Sequence, residues 1–168
     1  MQNITESWET GLNHHYIETN GITLHVVEAG PADGPLVILL HGFPEAWYSW
    51  RYQFEALASA GWRVLAPDQR GYNLSDKPKG VKSYRLDVLA KDILGLIEWA
   101  GQEKAVVAGH DWGAAVGWYL ATCHPERIEK YIALNVPHPS LMQVMLRKNP
   151  RQLLKSWDIF FFQLPWLP

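Results

Sequence analysis

Apolar positions recur along the chain with two periods, and each stretch predicts one element. Residues 15–19 and 22–28 alternate apolar and polar side chains about Asn20-Gly21, the pattern of a β-hairpin with a two-residue turn. Leu36–Leu40 is apolar throughout, as in a parallel strand covered on both faces. Trp47, Trp50, Phe54, Leu57 and Ala58 follow at helical spacing, with Gly61 placed to end that helix. Residues 63–66 read as a strand and 67–82 as a loop carrying most of the Gly, Asp and Pro of the region. Leu86, Leu89, Ile93, Leu96, Ile97 and Ala100 form one helical stripe, with Ser83 as its cap and Gly101 as its stop. The run at 104–108 (K-A-V-V-A) predicts a buried strand, 112–124 a helix and 131–136 one more strand. Residues 1–12 read as a polar lead-in, and from Pro137 onward the sequence turns Met-, Trp- and Phe-rich and helix-like. A hairpin followed by strand–helix repeats predicts an α/β fold with a largely parallel sheet and right-handed crossovers.

One pentapeptide sits where the strand at 104–108 gives way to a helix: Gly109-His110-Asp111-Trp112-Gly113. A small residue two positions either side of a polar one, between strand and helix, is the pattern of a nucleophile elbow. The central residue takes positive φ on a strained turn, and the flanking glycines let backbone pass closely. At a helix N-terminus the free backbone N–H groups and the macrodipole favour an exposed, ionised Asp111. The plainer reading of the same residue is an N-cap. Two further stretches follow strands and so belong at the same end of the sheet. These are His41-Gly42-Phe43-Pro44-Glu45 and Asp68-Gln69-Arg70-Gly71-Tyr72-Asn73-Leu74-Ser75-Asp76.

Bulk properties narrow the function classes. A net charge of −2 without a long charge run gives no support to nucleic-acid binding or a polybasic membrane surface. Cys123 is the single cysteine, which excludes an internal disulfide framework and fits a reducing cytoplasm. The opening residues lack the regions of a signal peptide, and no apolar run approaches membrane-spanning length. Nine tryptophans and seven tyrosines suit a hydrophobic cleft as well as a core. His14, His15 and His25 fall near the hairpin and read as surface residues. His41 and His110 flank the two glycine-containing loops and read as backbone-orienting; His124 precedes Pro125, and His138 follows the strand at 131–136. No pair has a metal-ligand spacing, so neither a metal nor another cofactor is expected.

Taken together, the order and spacing of these motifs resemble the α/β-hydrolase family and, within it, the epoxide hydrolases. The resemblance extends over residues 14–168 and rests on G-H-D-W-G, H-G-F-P-E, N-V-P-H-P at 135–139 and the terminal F-F-F-Q-L-P. It implies that Asp111 is a nucleophile that opens an epoxide ring by direct displacement, forming an alkyl ester. Water then attacks the ester carbonyl, and the oxyanion needs two donors. The resemblance assigns these to the backbone N–H groups of Phe43 and Trp112. It also implies a cis bond before Pro44, turning the Phe43 amide inward, and a substrate pocket that includes His41, Pro44, His110 and Trp112. The substrate implied is a small hydrophobic epoxide or a similarly neutral electrophile. Haloalkane dehalogenases resemble the chain as well but typically carry Asn at the position of Phe43. Fluoroacetate dehalogenases place Arg where Trp112 stands, and serine esterases need Ser or Cys at 111.

The same resemblance sets expectations about extent. Residues 1–137 correspond to the N-terminal part of the hydrolase core, and 138–168 to the start of a helical cap. The expected fold is thus an α/β-hydrolase fold truncated before its last strands and within its cap. The family's acid and histidine follow the nucleophile well downstream, and no matching histidine precedes Pro168. His138 belongs, by resemblance, to a loop at the cap entrance. Cap tyrosines donate a proton to the epoxide oxygen, and Asp158 stands where one would be expected. An aspartate cannot replace a phenol of pKa near 10. The expectation is therefore an alkylated but non-hydrolysing chain. A non-catalytic binding or interaction protein on the same scaffold is the alternative. In either case the strand at 131–136 becomes an open sheet edge, a surface for homo-oligomer formation.

Overall fold

In the computed structural model, residues 11–148 are described. The chain divides into two compact units, Met1–Val136 and Pro137–Pro168. In the first unit, β1 (Asn13–Thr19) and β2 (Ile22–Ala29) form the antiparallel hairpin. Its turn residues Asn20 and Gly21 adopt φ of 47° and 74°, the left-handed pair that a two-residue hairpin requires. β3 (Leu36–Leu40), β4 (Arg63–Pro67), β5 (Ala105–His110) and β6 (Ile128–Leu134) pair in parallel, and β2 pairs antiparallel with β4. The six strands lie in the order β1-β2-β4-β3-β5-β6.

Alternation along the central strands explains the unbroken apolar runs. Leu36, Ile38, Leu40, Leu65 and Val107 face one layer of core, beneath α2 (Leu86–Trp99) and α3 (Trp112–Cys123). Val37, Leu39, Val64, Ala66, Val106 and Ala108 face the other, beneath Trp47, Trp50 and Phe54. Those three residues come from a 3₁₀ turn, Trp47–Trp50, and from α1 (Arg51–Ser59). Both sides of β3 are covered, as parallel pairing demands. The second unit contributes α4 (Pro139–Lys148).

Several boundaries differ from the sequence-based expectation. The helix expected over 47–58 begins as the 3₁₀ turn. Ser83 does not cap α2: Gly80, at φ 90°, starts a separate turn at Val81–Tyr84, where the Ser83 hydroxyl donates to the Lys79 carbonyl at 3.2 Å. Arg85 precedes the first turn of α2 instead and holds Asp87 at 2.9 Å. β5 runs two residues into the pentapeptide, because Gly109 and His110 still pair with Ala133 and Leu134. β6 starts at Ile128 rather than 131, its polar Glu129 and Lys130 hiding the pattern, and ends before Asn135 at φ 71°. His25 is buried at 1% exposure, contrary to its reading as a surface residue, because it pairs with buried Asp68 at 2.7 Å. The polar lead-in at 1–10 and Asp158, with the terminal F-F-F-Q-L-P, lie outside the described residues.

Candidate active site

β3 and β5 are neighbours in the sheet, with Leu40 opposite Gly109, so the loops that follow them emerge side by side. Asp111 is the turn between β5 and α3, at φ 52° and ψ −118°. A non-glycine residue there is strained and persists only where its surroundings fix it. Glycines do the fixing. A Cβ on Gly109 would collide with the Gly113 carbonyl, and one on Gly113 with the Leu40 and His41 carbonyls. On the facing loop a Cβ at Gly42 would lie 2.5 Å from the Asp111 Cβ. The two loops therefore touch through backbone, leaving the Asp111 side chain half-buried between them.

The Phe43 backbone N–H donates to Asp111 Oδ1 at 3.1 Å, and the Phe43–Pro44 peptide bond is cis. Trp112 is the first residue of α3, where a backbone N–H has no acceptor within the helix. Its indole and the Phe43 ring are half-exposed, at 51% and 50%. No side chain caps α3, so the plain N-cap reading of Asp111 fails: its carboxylate turns to the Phe43 loop rather than back to the helix.

A second layer of contacts holds that loop. Glu45 Oε2 accepts the Gly42 N–H at 3.1 Å and meets His110 Nδ1 at 3.2 Å, joining one loop to the other. Burial would raise the Glu45 carboxyl, but the Gly42 amide and the His110 ring outweigh it and hold it below its ordinary value. His41 is fully buried, so it lies under the site and does not line an accessible pocket. The Gln69 backbone N–H can only donate, so His41 Nε2 accepts it at 3.0 Å and Nδ1–H donates to the Gly42 carbonyl at 2.8 Å. Burial holds the His41 ring below the ordinary imidazole range, in its neutral form. Gln69 completes the link through its side-chain amide, which donates to the His41 carbonyl at 2.5 Å.

The third loop is anchored on Asp68, which accepts from the Trp47 amide at 3.0 Å and the Asn73 side chain at 2.8 Å and pairs with His25. Burial opposes its charge, yet the His25 ring and the Trp47 and Leu74 amides keep the carboxyl below the ordinary range. Sequence reading placed Phe43, Trp112, His41, Pro44, His110 and Asp111 here, and all six lie on or directly under the two facing loops. It missed the roles of Glu45, Asp68, Gln69 and His25. Glu45 carried a usable signal, a carboxylate three residues after a glycine whose amide needs an acceptor. His138 lies in the second unit, where its Nδ1 meets the Ser140 hydroxyl at 2.7 Å. Among the described residues no group of three or more His, Cys, Asp or Glu could hold a metal ion.

A carboxylate on a rigid turn, with a backbone donor on one oxygen and a helix N-terminus below, suits ester formation at its other oxygen. Comparison with known proteins agrees with that architecture. The AB hydrolase superfamily protein YfhM of Bacillus subtilis is 58% identical over 158 residues, covering 94% of this chain and 55% of its own length. Epoxide hydrolase 4 of Homo sapiens is 45% identical over 152 residues, 90% of this chain and 42% of that protein. The crystal structure of epoxide hydrolase A from Mycobacterium thermoresistibile matches with a TM-score of 0.74 at 48% identity, over 75% of this chain and 40% of that one. The chain thus spans about half the length of the curated relatives it matches. Residues 35–165 match the family described as the alpha/beta hydrolase fold, and the chain belongs to it.

Proposed function

We propose that this chain carries the ring-opening half of an epoxide hydrolase site, with Asp111 as nucleophile. The hydrogen bond from the Phe43 N–H to Asp111 Oδ1 carries the reading. With Oδ1 held, Oδ2 is the oxygen that attacks an epoxide carbon. The C–O bond of the ring breaks as the new C–O bond forms, and the ring oxygen takes a proton from water. Oδ1 becomes the ester carbonyl oxygen, already placed against the donor that a later oxyanion needs, with the Trp112 N–H as the second. Pro44, His110 and the half-exposed Phe43 and Trp112 border the approach. The apolar approach favours a small, neutral, hydrophobic epoxide. Phe43 stands where a haloalkane dehalogenase would carry Asn, so that alternative lacks its halide contact.

Several finer features belong to the same reading. Residues 138–168 are the start of a cap, and the compartment is the cytoplasm, in keeping with the single cysteine. No helix among the described residues is long and apolar enough to cross a membrane. The isolated chain pairs with a second copy through the outer edge of β6.

The decisive measurement is intact mass after incubation with styrene oxide, beside an Asp111→Asn control. We expect one stable adduct per chain, mapped to Asp111 and lacking in the control. A cooperatively unfolding chain that takes no adduct would sink the nucleophile reading and leave a binding scaffold.

A further inference from the structure

Beside Trp47, three side chains outside the Asp111 site form a hydrogen-bonded line from the surface into the core. The hairpin register places His25 opposite Tyr16 and diagonally across from His14. His14 Nδ1 meets His25 Nε2 at 2.9 Å, and His25 Nδ1 meets Asp68 Oδ2 at 2.7 Å. His14 is exposed, whereas His25 and Asp68 are buried, at 1% and 0% exposure. The His14 ring also stacks on His25 and meets the Trp47 ring edge-on at 5.4 Å. Two further titratable groups face the line. The Tyr16 ring lies 5.3 Å from His25, and the neutral His41 ring feels the Asp68 charge.

Proton positions along the line follow from its inner end. The Asp68 carboxyl is held ionised by its partners, and a carboxylate only accepts, so His25 Nδ1 carries a hydrogen. His25 Nε2 then accepts from His14 Nδ1–H. That leaves His14 Nε2 with an open lone pair and no partner among the described residues. A proton bound there displaces the Nδ1 hydrogen toward His25 Nε2. One proton enters and one shifts, so His14 ends neutral and His25 ends as an imidazolium against the Asp68 carboxylate. A second proton would charge both rings, with nitrogens only 2.9 Å apart, and like-charge repulsion opposes that.

We propose that His14, His25 and Asp68 form a one-proton relay through which acidification at the hairpin surface tightens the loop that follows β4. Backbone contacts explain why this loop responds. The Asp68 N–H donates to the His25 carbonyl at 2.9 Å, and the His25 N–H donates to Ser75 Oγ at 2.9 Å. Ser75 Oγ in turn donates to the Asp68 carbonyl at 2.6 Å. Both ends of the loop thus hang on one histidine, whose ring also holds the carboxylate that accepts from Trp47 and Asn73. Charging that ring adds an ion-pair attraction to the existing hydrogen bond, in buried surroundings that screen it little. The same loop carries Gln69, which holds His41 beneath the Phe43 loop. The relay is therefore a positioning device for the site, and it needs no step at Asp111.

Nitrogen NMR of the histidine rings in the full chain, followed between about pH 8.5 and 4.5, tests the relay. His25 is expected to become an imidazolium while His14 stays neutral with its hydrogen moved to Nε2, both rings changing at one shared midpoint. Over the same range the exchange protection of the Asp68 amide, taken relative to Ile38 in β3, should rise about three- to tenfold. In His14→Phe, which keeps a ring beside Trp47 but carries no proton, His25 should stay neutral and the protection should not rise. Two separate midpoints with both rings charged, or charging of His14 alone, overturn the relay. So does a His25 ring that charges in His14→Phe as it does in the parent. A shared proton without any gain in protection overturns its action on the loop. The parent titration distinguishes one proton from two whether or not the variant folds.

Discussion

Gly42 has no side chain, and the site depends on that. Its Cα faces the Asp111 side chain so closely that a methyl group would stand 2.5 Å from Cβ and 3.0 Å from Oδ1. Contacts under 3 Å force something to move, and the neighbour here is the carboxylate that the Phe43 amide holds. Gly42→Ala should therefore slow Asp111 alkylation by about 100-fold or more, the usual effect of losing one aimed donor. Circular dichroism of the variant should match the parent, because Gly42 sits in a loop at the strand end. A variant that alkylates at the parent rate would show that the Phe43–Asp111 contact is dispensable. This pairing could not be read from the sequence. G-H-D-W-G and H-G-F-P-E are legible as motifs, but their facing distance follows from β3 and β5 being neighbours. The link from Glu45 to the His110 ring and that from the Gln69 amides to His41 were hidden for a related reason, since each joins two different loops.

Among the elements, β6 carries the most consequence. It pairs with β5 on one side, and no other described strand meets its outer edge; Ile132 and Leu134 are exposed at 51% and 39%. An unpaired edge with apolar side chains templates further pairing. The 168-residue chain is expected to self-associate at micromolar concentration, and Ile132→Lys to return it to the monomer in sedimentation velocity. A parent that sediments as a monomer throughout would refute the proposed pairing. Here sequence reading succeeded in kind and erred in extent. It identified the last strand as an edge but set it three residues late, because charged Glu129 and Lys130 interrupt an apolar pattern only where a strand is exposed. Central strands were legible to within two residues, since burial on both faces leaves little room for polar interruption. The Ser83 cap failed because Gly80 opens a turn of its own, a backbone choice that helical periodicity does not report.

At the scale of the whole molecule, stability should follow pH through His41. Its ring is neutral and buried in the folded chain and free to protonate once unfolded. The unfolded chain then binds more protons below about pH 6.5, so stability is intact above that value and falls as pH drops toward the depressed folded value. Denaturant midpoints should decline between about pH 7.5 and 5.5, well before Asp68 and Glu45 protonate, because their partners hold both carboxyls below the ordinary carboxylate range. His41→Asn should be less stable at pH 7.5 by about 1–3 kcal/mol, the effect of a buried amide left unpaired. Its midpoint should also vary less over the same interval; an equally steep decline would move the effect to other histidines. The long sequence separation of the two facing loops has a consequence in time. Phe43 and Asp111 are 68 residues apart, and ribosomes add about 5–20 residues per second, so during synthesis the first loop waits roughly 3–14 seconds for the second. The β3–β4 ladder can close in that interval, whereas the Asp111 carboxylate meets its donor only when β5 docks. On the proposed chemistry, competence to be alkylated is therefore a clock for the nascent chain, reading out the moment at which the centre of the sheet is complete.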